Sequence, residues 1–255
     1  MNESKHNAIR AYYSTLFAVW GCQHWWPAQS RFEMIVGAYL TQNTAWTNVE
    51  KALRNLRKAG VLTIRGIRRT PPGRLEELIR SAGYFRQKAQ RLKTFVKFLD
   101  ERYGGSLTRM FARPTGELRE ELLALNGVGP ETADSILLYA GNHPVFVVDA
   151  YTRRILERHG IVKSGAGYEE IRRLFEEALA GMAAPWQTLG SAPGVSGPAG
   201  SCHRPSRVSR AERTAQVQIF NDMHGLIVGV GKHYCLKSQA RCEQCPLQKF
   251  LPAAE

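Results

Sequence analysis

Apolar residues recur at every third or fourth position along most of this chain. Because an α-helix completes a turn in 3.6 residues, this spacing predicts amphipathic helices that each bury one face. Glycine and proline mark the turns between these segments. The predicted helices cover residues 32–40, 49–56, 85–99, 118–125, 171–178 and 217–230.

One short run departs from the helical spacing. Residues 145–148, Val-Phe-Val-Val, are typical of a β-strand, but a single run of this length has no second strand to pair with. We therefore predict an all-α protein of about ten helices.

Residues 181–213 also break the pattern. Gly, Pro, Ser and Ala are frequent there and no apolar period is visible. This composition is typical of a flexible insertion. We interpret it as a solvated linker, with contact to a polyanion as the alternative for its arginines, which are Arg204, Arg207, Arg210 and Arg213.

The most informative stretch is 120–137, EELLALNGVGPETADSIL. One helix ends just before Gly127, and Pro130 opens another directly after Gly129, which predicts a helix-hairpin-helix. Glycine admits left-handed backbone angles, and it lets amides approach a phosphate at the positive end of the second helix. Such a hairpin suits a DNA backbone of any sequence. A second Gly-Val-Gly at 229–231 lacks a matching helix pair.

Asp149 closes the apolar run and precedes a helical segment. An aspartate in this place accepts backbone amide hydrogen bonds as a helix N-cap, and the local sequence alone favours that role. Its position one helix downstream of the hairpin favours a catalytic role.

Composition and charge narrow the class of protein. The chain has 255 residues, of which 44% are hydrophobic and 22% charged, as in folded proteins. No apolar run approaches the roughly 20 residues of a membrane span, so we expect a soluble cytoplasmic protein. Lys and Arg number 35 against 22 Asp and Glu, and the net charge of +13 favours a polyanionic partner.

The hairpin and the aspartate resemble those of the helix-hairpin-helix DNA glycosylases related to endonuclease III. The resemblance runs from about residue 25 to 245, apart from 181–213. It implies that Asp149 is catalytic, that Gln42 enters the space a flipped base vacates, and that Tyr84 wedges into the duplex. Lys88, in the same loop, is expected to contact DNA. The hairpin residues that the resemblance places on DNA are Gly127, Val128, Gly129, Glu131 and Thr132.

Differences from the family pattern indicate which branch of the family this sequence resembles. Bifunctional members carry a lysine where this chain has Glu131, and a carboxylate cannot form their Schiff base, so no lyase activity is expected. Gly37 stands where adenine glycosylases carry a glutamate. The sequence is more similar to the 3-methyladenine glycosylase III branch, which implies that aromatic residues sandwich the damaged base. The matching positions are Trp25, Trp26 and Trp46.

The resemblance also implies an architecture. Two helical subdomains would enclose a DNA-binding and active-site cleft. Residues 29–144 would form a central helical barrel ending in the hairpin at about 118–140, and 1–28 with 145–255 would form the second subdomain.

Three of the five cysteines lie within eleven residues. In a chain without a secretion signal, this clustering favours metal ligation over disulfides. Cys235, Cys242 and Cys245 resemble the first three ligands of the family's [4Fe-4S] motif, but Leu251 stands at the fourth place. Four thiolates are usual, so the fourth ligand is absent or is another residue, and zinc is an alternative. The candidate fourth ligands are Cys202, His203 and His233.

The leading hypothesis is a monomeric, nucleoid-associated, monofunctional glycosylase that flips an alkylated purine out of double-stranded DNA and hydrolyses its glycosidic bond. An endonuclease III-like enzyme for oxidised pyrimidines or other lesions is the enzymatic alternative. A non-catalytic DNA-damage binding module, in which Asp149 is only an N-cap, is the third possibility.

Overall fold

The structure, a computed structural model, describes residues 2–183 and 205–252. Within these ranges the chain is helical and contains no β-strand, which confirms the all-α prediction. The described α-helices number twelve: α1 (Asn2–Trp20), α2 (Arg31–Thr41), α3 (Trp46–Lys58), α4 (Ile64–Arg69), α5 (Pro72–Leu78), α6 (Phe85–Tyr103), α7 (Leu107–Phe111), α8 (Thr115–Leu123), α9 (Pro130–Ser135), α10 (Ala150–Arg158), α11 (Tyr168–Leu179) and α12 (Ala215–His233).

Shorter turns complete these elements. A π-helical turn, Ile136–Gly141, continues α9. Single 3₁₀ turns lie at Arg80–Ala82, Cys242–Gln244 and Gln248–Phe250. None of the helices in the described ranges is both long enough and apolar enough to cross a bilayer.

The apolar stripes correspond to helices of different burial. In α2 every residue from 32 to 40 is buried, and Ser30 caps the helix by accepting a hydrogen bond from the Glu33 amide at 3.1 Å. In α6 only one face is buried, as its amphipathic pattern predicts. This helix ends at Gly104, whose φ of +57° is the left-handed conformation that glycine adopts at helix C-termini.

The short helices α4, α5 and α7 are not evident in the apolar spacing. Each starts at a local signal: Thr63 and Ser106 cap α4 and α7 with their side chains, and Pro72 is the first residue of α5. Helices of five to seven residues are too short to display a full apolar period, which is why the count rises above ten.

The strand-like run 145–148 is an extended, buried segment without a β partner. Its backbone amides donate instead to side chains of α11: Phe146 N–H to Glu176 Oε1 at 2.9 Å, and Val148 N–H to the Tyr168 hydroxyl at 3.3 Å. These bonds satisfy buried amides that would otherwise need a neighbouring strand.

The chain divides into two compact units. One unit is Ala28–Gly141, and the other joins Met1–Pro27 to Asn142–Glu255. We call them the central unit and the terminal unit. In the central unit α2 packs against the π-helical turn, α3 and α6. In the terminal unit α1 packs on α11 and α10 on α12.

Part of the predicted insertion lies outside the described residues, namely 184–204. Residues 205–213, by contrast, form a turn in the terminal unit that buries Val208. Arg213 fixes this turn by donating to Asn142 Oδ1 at 3.1 Å and to the Val208 carbonyl at 2.8 Å. The end of the segment is therefore folded, and flexibility stays a prediction for the rest.

The helix pair of the hairpin contains a buried ion pair that generates a stability prediction. Arg119 of α8 donates to both carboxylate oxygens of Asp134 in α9, at 2.7 and 3.1 Å, and the Asp134 side chain is fully buried. We expect Asp134→Ala to lower the free energy of unfolding by about 3–5 kcal/mol, because it removes the buried carboxylate that balances the charge of the largely buried Arg119 guanidinium. Urea titration measures this loss.

The exposed pair between Arg113, which precedes α8, and Glu117 in the first turn of α8 provides the control. Glu117→Ala should cost less than about 1 kcal/mol, since solvent screens an exposed ion pair. Equal losses in the two variants would show that the buried pair does not hold the hairpin helices together.

Candidate DNA-contacting surface and active site

The predicted hairpin is present in the central unit. Residues between α8 and α9 turn through Gly127, whose φ is +79°, and Gly129 is the N-cap of α9 with Pro130 as first helical residue. The Val128 side chain is buried, at 7% exposed. The first turn of α9 presents the positive end of the helix dipole, as in every helix, and such a terminus favours an anion.

A close approach explains the glycine at 127. A Cβ atom added there would lie 2.0 Å from Nε of Arg91, a residue of α6. The left-handed φ alone disfavours a side chain, and the guanidinium leaves no space for one. Gly127 thus admits Arg91 beneath the turn.

Gln42 lies against this hairpin. Its amide nitrogen donates to the Gly127 carbonyl at 2.9 Å and to the Thr132 hydroxyl at 3.0 Å, while Arg91 donates to its amide oxygen at 2.6 Å. The loop after α2, the hairpin and α6 therefore meet at one side-chain amide. To enter DNA, the Gln42 side chain would have to break all three of these hydrogen bonds and form others with the DNA.

These contacts change what is expected of two hairpin residues. The side chains of Val128 and Thr132 are both buried, each 7% exposed. These side chains cannot meet a phosphate directly, and the Val128 backbone amide already donates to the Leu125 carbonyl at 3.0 Å. At Thr132 a contact with DNA would be made by the backbone. The Glu131 side chain, at the start of α9, is exposed.

Tyr84 is the most exposed large apolar side chain among the described residues, at 67%. It precedes α6 in a left-handed conformation, with φ 43° and ψ 33°. A non-glycine residue there costs about 1–3 kcal/mol, and such conformations concentrate at functional sites. The loop that carries the predicted wedge is therefore strained as well as exposed.

Lys88 requires a correction. It was expected to contact DNA, but its side chain is 1% exposed. The ammonium donates to the carbonyls of Leu40 and Ala82, both at 2.8 Å, and to the Thr44 hydroxyl at 2.7 Å. A lysine with its three donors occupied inside the protein has none for a phosphate.

Asp149 lies in the terminal unit and is the N-cap of α10. Its Oδ1 accepts from the Thr152 amide at 2.7 Å and from the Thr152 hydroxyl at 2.9 Å. Its Oδ2 lies 3.6 Å from Nε2 of the buried His224. Capping occupies Oδ1, so the N-cap role leaves Oδ2 for chemistry and does not exclude a catalytic role.

Trp25 and Trp26 precede the central unit and are both buried, at 8% and 7% exposed. Their rings meet edge to face at 5.4 Å, and Trp25 packs beside Gly225 of α12, where an added Cβ would approach it to 3.3 Å. The ammonium of Lys232 lies 5.6 Å from the centroid of the Trp25 ring. Trp25 therefore already has a cation over its indole.

Trp46 belongs to the central unit. It is the first residue of α3 and is partly exposed. The three predicted pocket tryptophans are thus divided between the two units, with Trp46 the least buried of them.

A buried polar network holds the segment that carries Trp25. Asp222 of α12 is fully buried and accepts from the Gln23 amide at 3.2 Å and from the Gln218 side chain at 2.9 Å. Burial is the main cause that raises the pKa of Asp222 to about 6, against the lowering effect of these hydrogen bonds.

The three clustered cysteines surround one cavity of about 20 Å³ in the terminal unit. Arg158 of α10 donates to Cys235 Sγ at 3.3 Å and to the Leu236 carbonyl at 2.7 Å, so α10 fixes the start of the cysteine loop. Burial raises the pKa of the Cys245 thiol. Leu251 lines the same cavity.

These residues provide an incomplete site for an iron-sulphur cluster. Three thiols surround the cavity, but the fourth position is apolar, whereas such clusters usually take four thiolates. Within residues 2–183 and 205–252, no three His, Cys, Asp or Glu side chains are arranged to hold a metal ion. His233 is not among the lining residues, and Cys202 and His203 lie outside the described ranges. The [4Fe-4S] cluster stays a prediction.

Sequence reasoning did not single out Arg91, Asp222 or His224 as site residues. The latter two carry a signal, because the run Asn221-Asp222-Met223-His224 places three polar residues directly before the apolar run 225–231 of α12. Buried polar residues are the informative exceptions in a core. Arg91 carries no such signal, since arginine is ordinary on an amphipathic helix.

The pKa of Asp222 generates a prediction about pH. Because the folded protein holds this proton more tightly than an unfolded chain, whose pKa is near 3.8, its stabilising contribution is complete below about pH 4. The contribution is lost as the pH rises to about 6, at a total of about 3 kcal/mol. Asp222→Asn cannot ionise, so its stability relative to the unsubstituted protein should increase by that amount between pH 4 and pH 7.

Urea titrations of both proteins at the two pH values measure this difference. Groups that the two proteins share titrate in both, so their contributions cancel when one free energy of unfolding is subtracted from the other. A difference that stays constant with pH would show that Asp222 does not hold its proton more tightly in the folded state.

Comparison with known proteins identifies the family. The model of the HhH-GPD superfamily base excision DNA repair proteins matches residues 36–180. A protein of Methanocaldococcus jannaschii that carries the name of a DNA repair glycosylase is 39% identical over 98% of each chain. Endonuclease III of Thermotoga maritima is 33% identical over 85% of this chain and 80% of its own.

Solved structures agree with these relatives. The 3-methyladenine DNA glycosylase of H. pylori, bound to 1,N6-ethenoadenine, superimposes with a TM-score of 0.67 at 28% identity, covering 89% of this chain and 97% of that one. An endonuclease III–DNA complex gives the same TM-score at 19% identity, covering 98% of this chain and 95% of that one. At this identity the similarity shows the fold alone. The chain therefore belongs to the HhH-GPD superfamily and is a DNA glycosylase of base-excision repair.

Proposed function

We propose that this glycosylase is monofunctional and removes alkylated purines similar to 3-methyladenine. The observation that carries the proposal is Glu131 in the first turn of α9, where a bifunctional relative would present a lysine. A carboxylate cannot condense with the C1′ carbon of the sugar to form a Schiff base. Water is then the nucleophile, and the product is an intact strand with an abasic site.

The choice of base follows from the chemistry of the leaving group. A 3-methylated adenine carries a positive charge and a weakened glycosidic bond, so the enzyme need not protonate it. An indole ring then favours the cationic base over a neutral one by about 2 kcal/mol when water is excluded. The likeness to the H. pylori 3-methyladenine DNA glycosylase at 28% identity supports this choice.

The three tryptophans are unequal candidates for this stacking. Lys232 lies over Trp25 and would repel a second cation on that face. Trp26 is buried against Trp25. Trp46 is partly exposed at the start of α3, and we assign it the stacking role.

Asp149 supplies the catalytic carboxylate in this proposal. With Oδ1 held by Thr152 and α10, Oδ2 would stabilise the positive charge that develops on the sugar and orient the attacking water. The N-cap bonds keep the carboxylate in one rotamer, so little reorganisation is needed when the charge appears.

DNA would be held without regard to sequence. The start of α9 after Gly129 suits a backbone phosphate, and the exposed Tyr84 suits the gap left by a flipped nucleotide. Gln42 would follow into the duplex once its hydrogen bonds to the hairpin exchange. Unstacking costs a few kcal/mol, which the inserted side chains offset.

A second candidate is excision of oxidised pyrimidines. The 33% identity to Thermotoga endonuclease III favours it, and the Lys232 ammonium over Trp25 disfavours a cationic base at that ring. One duplex carries 3-methyladenine and another carries an oxidised pyrimidine. Each is incubated with the protein and then with hot alkali, which cuts DNA at abasic sites, and the duplex that is cut identifies the base that is removed.

We expect Asp149→Asn to lower the single-turnover rate of base release by about 10²–10⁴-fold, because the neutral amide cannot stabilise a sugar cation. Asparagine is a good N-cap, so α10 and the affinity for DNA should be preserved. Glu170→Gln, an exposed change in the first turn of α11, is the control. Base release by Asp149→Asn at the unsubstituted rate would remove Asp149 from the mechanism.

We also expect no covalent adduct when the protein acts on damaged DNA in the presence of borohydride, because Glu131 offers no amine. Glu131→Lys should yield a trapped adduct, since it supplies the amine in the first turn of α9. Denaturing gel electrophoresis measures both. A borohydride-trapped adduct with the unsubstituted protein would contradict the monofunctional assignment.

A further inference from the structure

The ammonium of Lys88 joins two loops of the central unit. One comprises residues 40–44, which are the last two residues of α2 and the turn after it, and we call it the plug loop because it carries Gln42. The other comprises residues 82–84, the wedge loop, and carries Tyr84. Lys88 donates to Leu40 O and the Thr44 hydroxyl in the first loop and to Ala82 O in the second, all at 2.7–2.8 Å.

Thr44 reinforces the same junction. Its hydroxyl, which accepts from Lys88, donates its own proton to the Ala82 carbonyl at 2.5 Å. Both lone pairs of Ala82 O are thereby occupied, one by Lys88 and one by Thr44. The three groups form a closed triangle across the two loops.

This triangle lies directly before the strained part of the wedge loop. Gly83 and Tyr84 follow Ala82 with φ values of +63° and +43°. A strained conformation persists only when its surroundings fix it. Here the carbonyl before the strained pair is fixed by Lys88 and Thr44, and the Tyr84 carbonyl accepts from the Lys88 backbone amide at 3.0 Å.

Burying the Lys88 ammonium is energetically unfavourable, which indicates that this residue has a role other than stabilising the whole fold. The partners of the buried ammonium are carbonyls and a hydroxyl, and burying a charge without a carboxylate is unfavourable. Burial accordingly lowers the pKa of Lys88 to about 8, with a smaller contribution from the charge of Arg91. An apolar side chain would fill the same space without that penalty, but it could not hold the two loops.

We propose that Lys88 is a positioning residue that fixes the wedge loop against the plug loop, so that Tyr84 and Gln42 enter damaged DNA in a set register. The inference rests on the proposed function, in which these two side chains insert at the lesion. It assigns to Lys88 an internal role in place of a contact with phosphate.

The test measures insertion without base removal. A duplex with a tetrahydrofuran abasic analogue opposite 2-aminopurine reports insertion by fluorescence, because the analogue has no base to excise. Lys88→Met removes all three hydrogen bonds of the ammonium and should weaken the preference for this duplex over an undamaged one by about tenfold or more. Its affinity for undamaged DNA should stay within about twofold, since the hairpin is unchanged.

Matched variants separate positioning from packing. Thr44→Val removes the hydroxyl and should reproduce the loss, whereas Thr44→Ser retains it and should behave as the unsubstituted protein does. Because Lys88 and Thr44 act through the same carbonyl, their losses should not add in the double variant. Lys97→Met, an exposed change on α6, is the control for removal of one charge.

The outcomes are distinct. A full fluorescence response from Lys88→Met, measured well below its melting temperature, would overturn the proposal, and so would an equal loss of affinity for damaged and undamaged DNA. If the unsubstituted protein gives the insertion signal but excises no base, the proposed function fails and the role of Lys88 stands. If the unsubstituted protein gives no insertion signal, the role of Lys88 fails whatever its excision activity.

Discussion

One face of α6 carries two cations that point into the central unit and determine how its loops are arranged. Lys88 binds the plug and wedge loops, and Arg91, three residues later on the same face, binds Gln42 beside the hairpin. Gly127 follows from this arrangement, because the guanidinium occupies the space of its side chain. The three segments assigned to DNA are therefore fixed to a single helix, and a shift of α6 would move all of them together.

In the terminal unit the constraint is the start of α10. Asp149 closes a buried, extended segment whose amides are satisfied by α11, and it caps the next helix through one carboxylate oxygen. The other oxygen lies near His224, on the polar turn of α12 that also contains Asp222. Helix capping and the proposed catalytic role would not compete for Asp149, because the cap uses Oδ1 and the proposed chemistry would use Oδ2.

The sequence predicts features that depend on local chemistry. Helical periodicity located α2, α3, α6, α11 and α12, and the glycines with Pro130 located the hairpin. Burial was harder to predict, because it is set by distant segments. A lysine on the first turn of α6 has the same local sequence whether it faces water or the loop at 40–44, and the buried pair Trp25–Trp26 depends on Gly225 some 200 residues away. The second Gly-Val-Gly shows the same limit: it lies inside α12, where Gly231 admits the ring of Tyr151.

The net charge of +13 is a poor measure of the surface available to DNA. Lys88 and Arg91 hold loops, Arg119 neutralises Asp134, and Arg154 and Arg158 bind backbone carbonyls of the cysteine loop. Lys88 in particular releases no counterion when DNA binds, because it is buried and its three donors are already occupied. The dependence of affinity on salt should therefore reflect the smaller set of exposed cations, and an internal cation such as Lys88 can alter recognition of damage without changing that dependence.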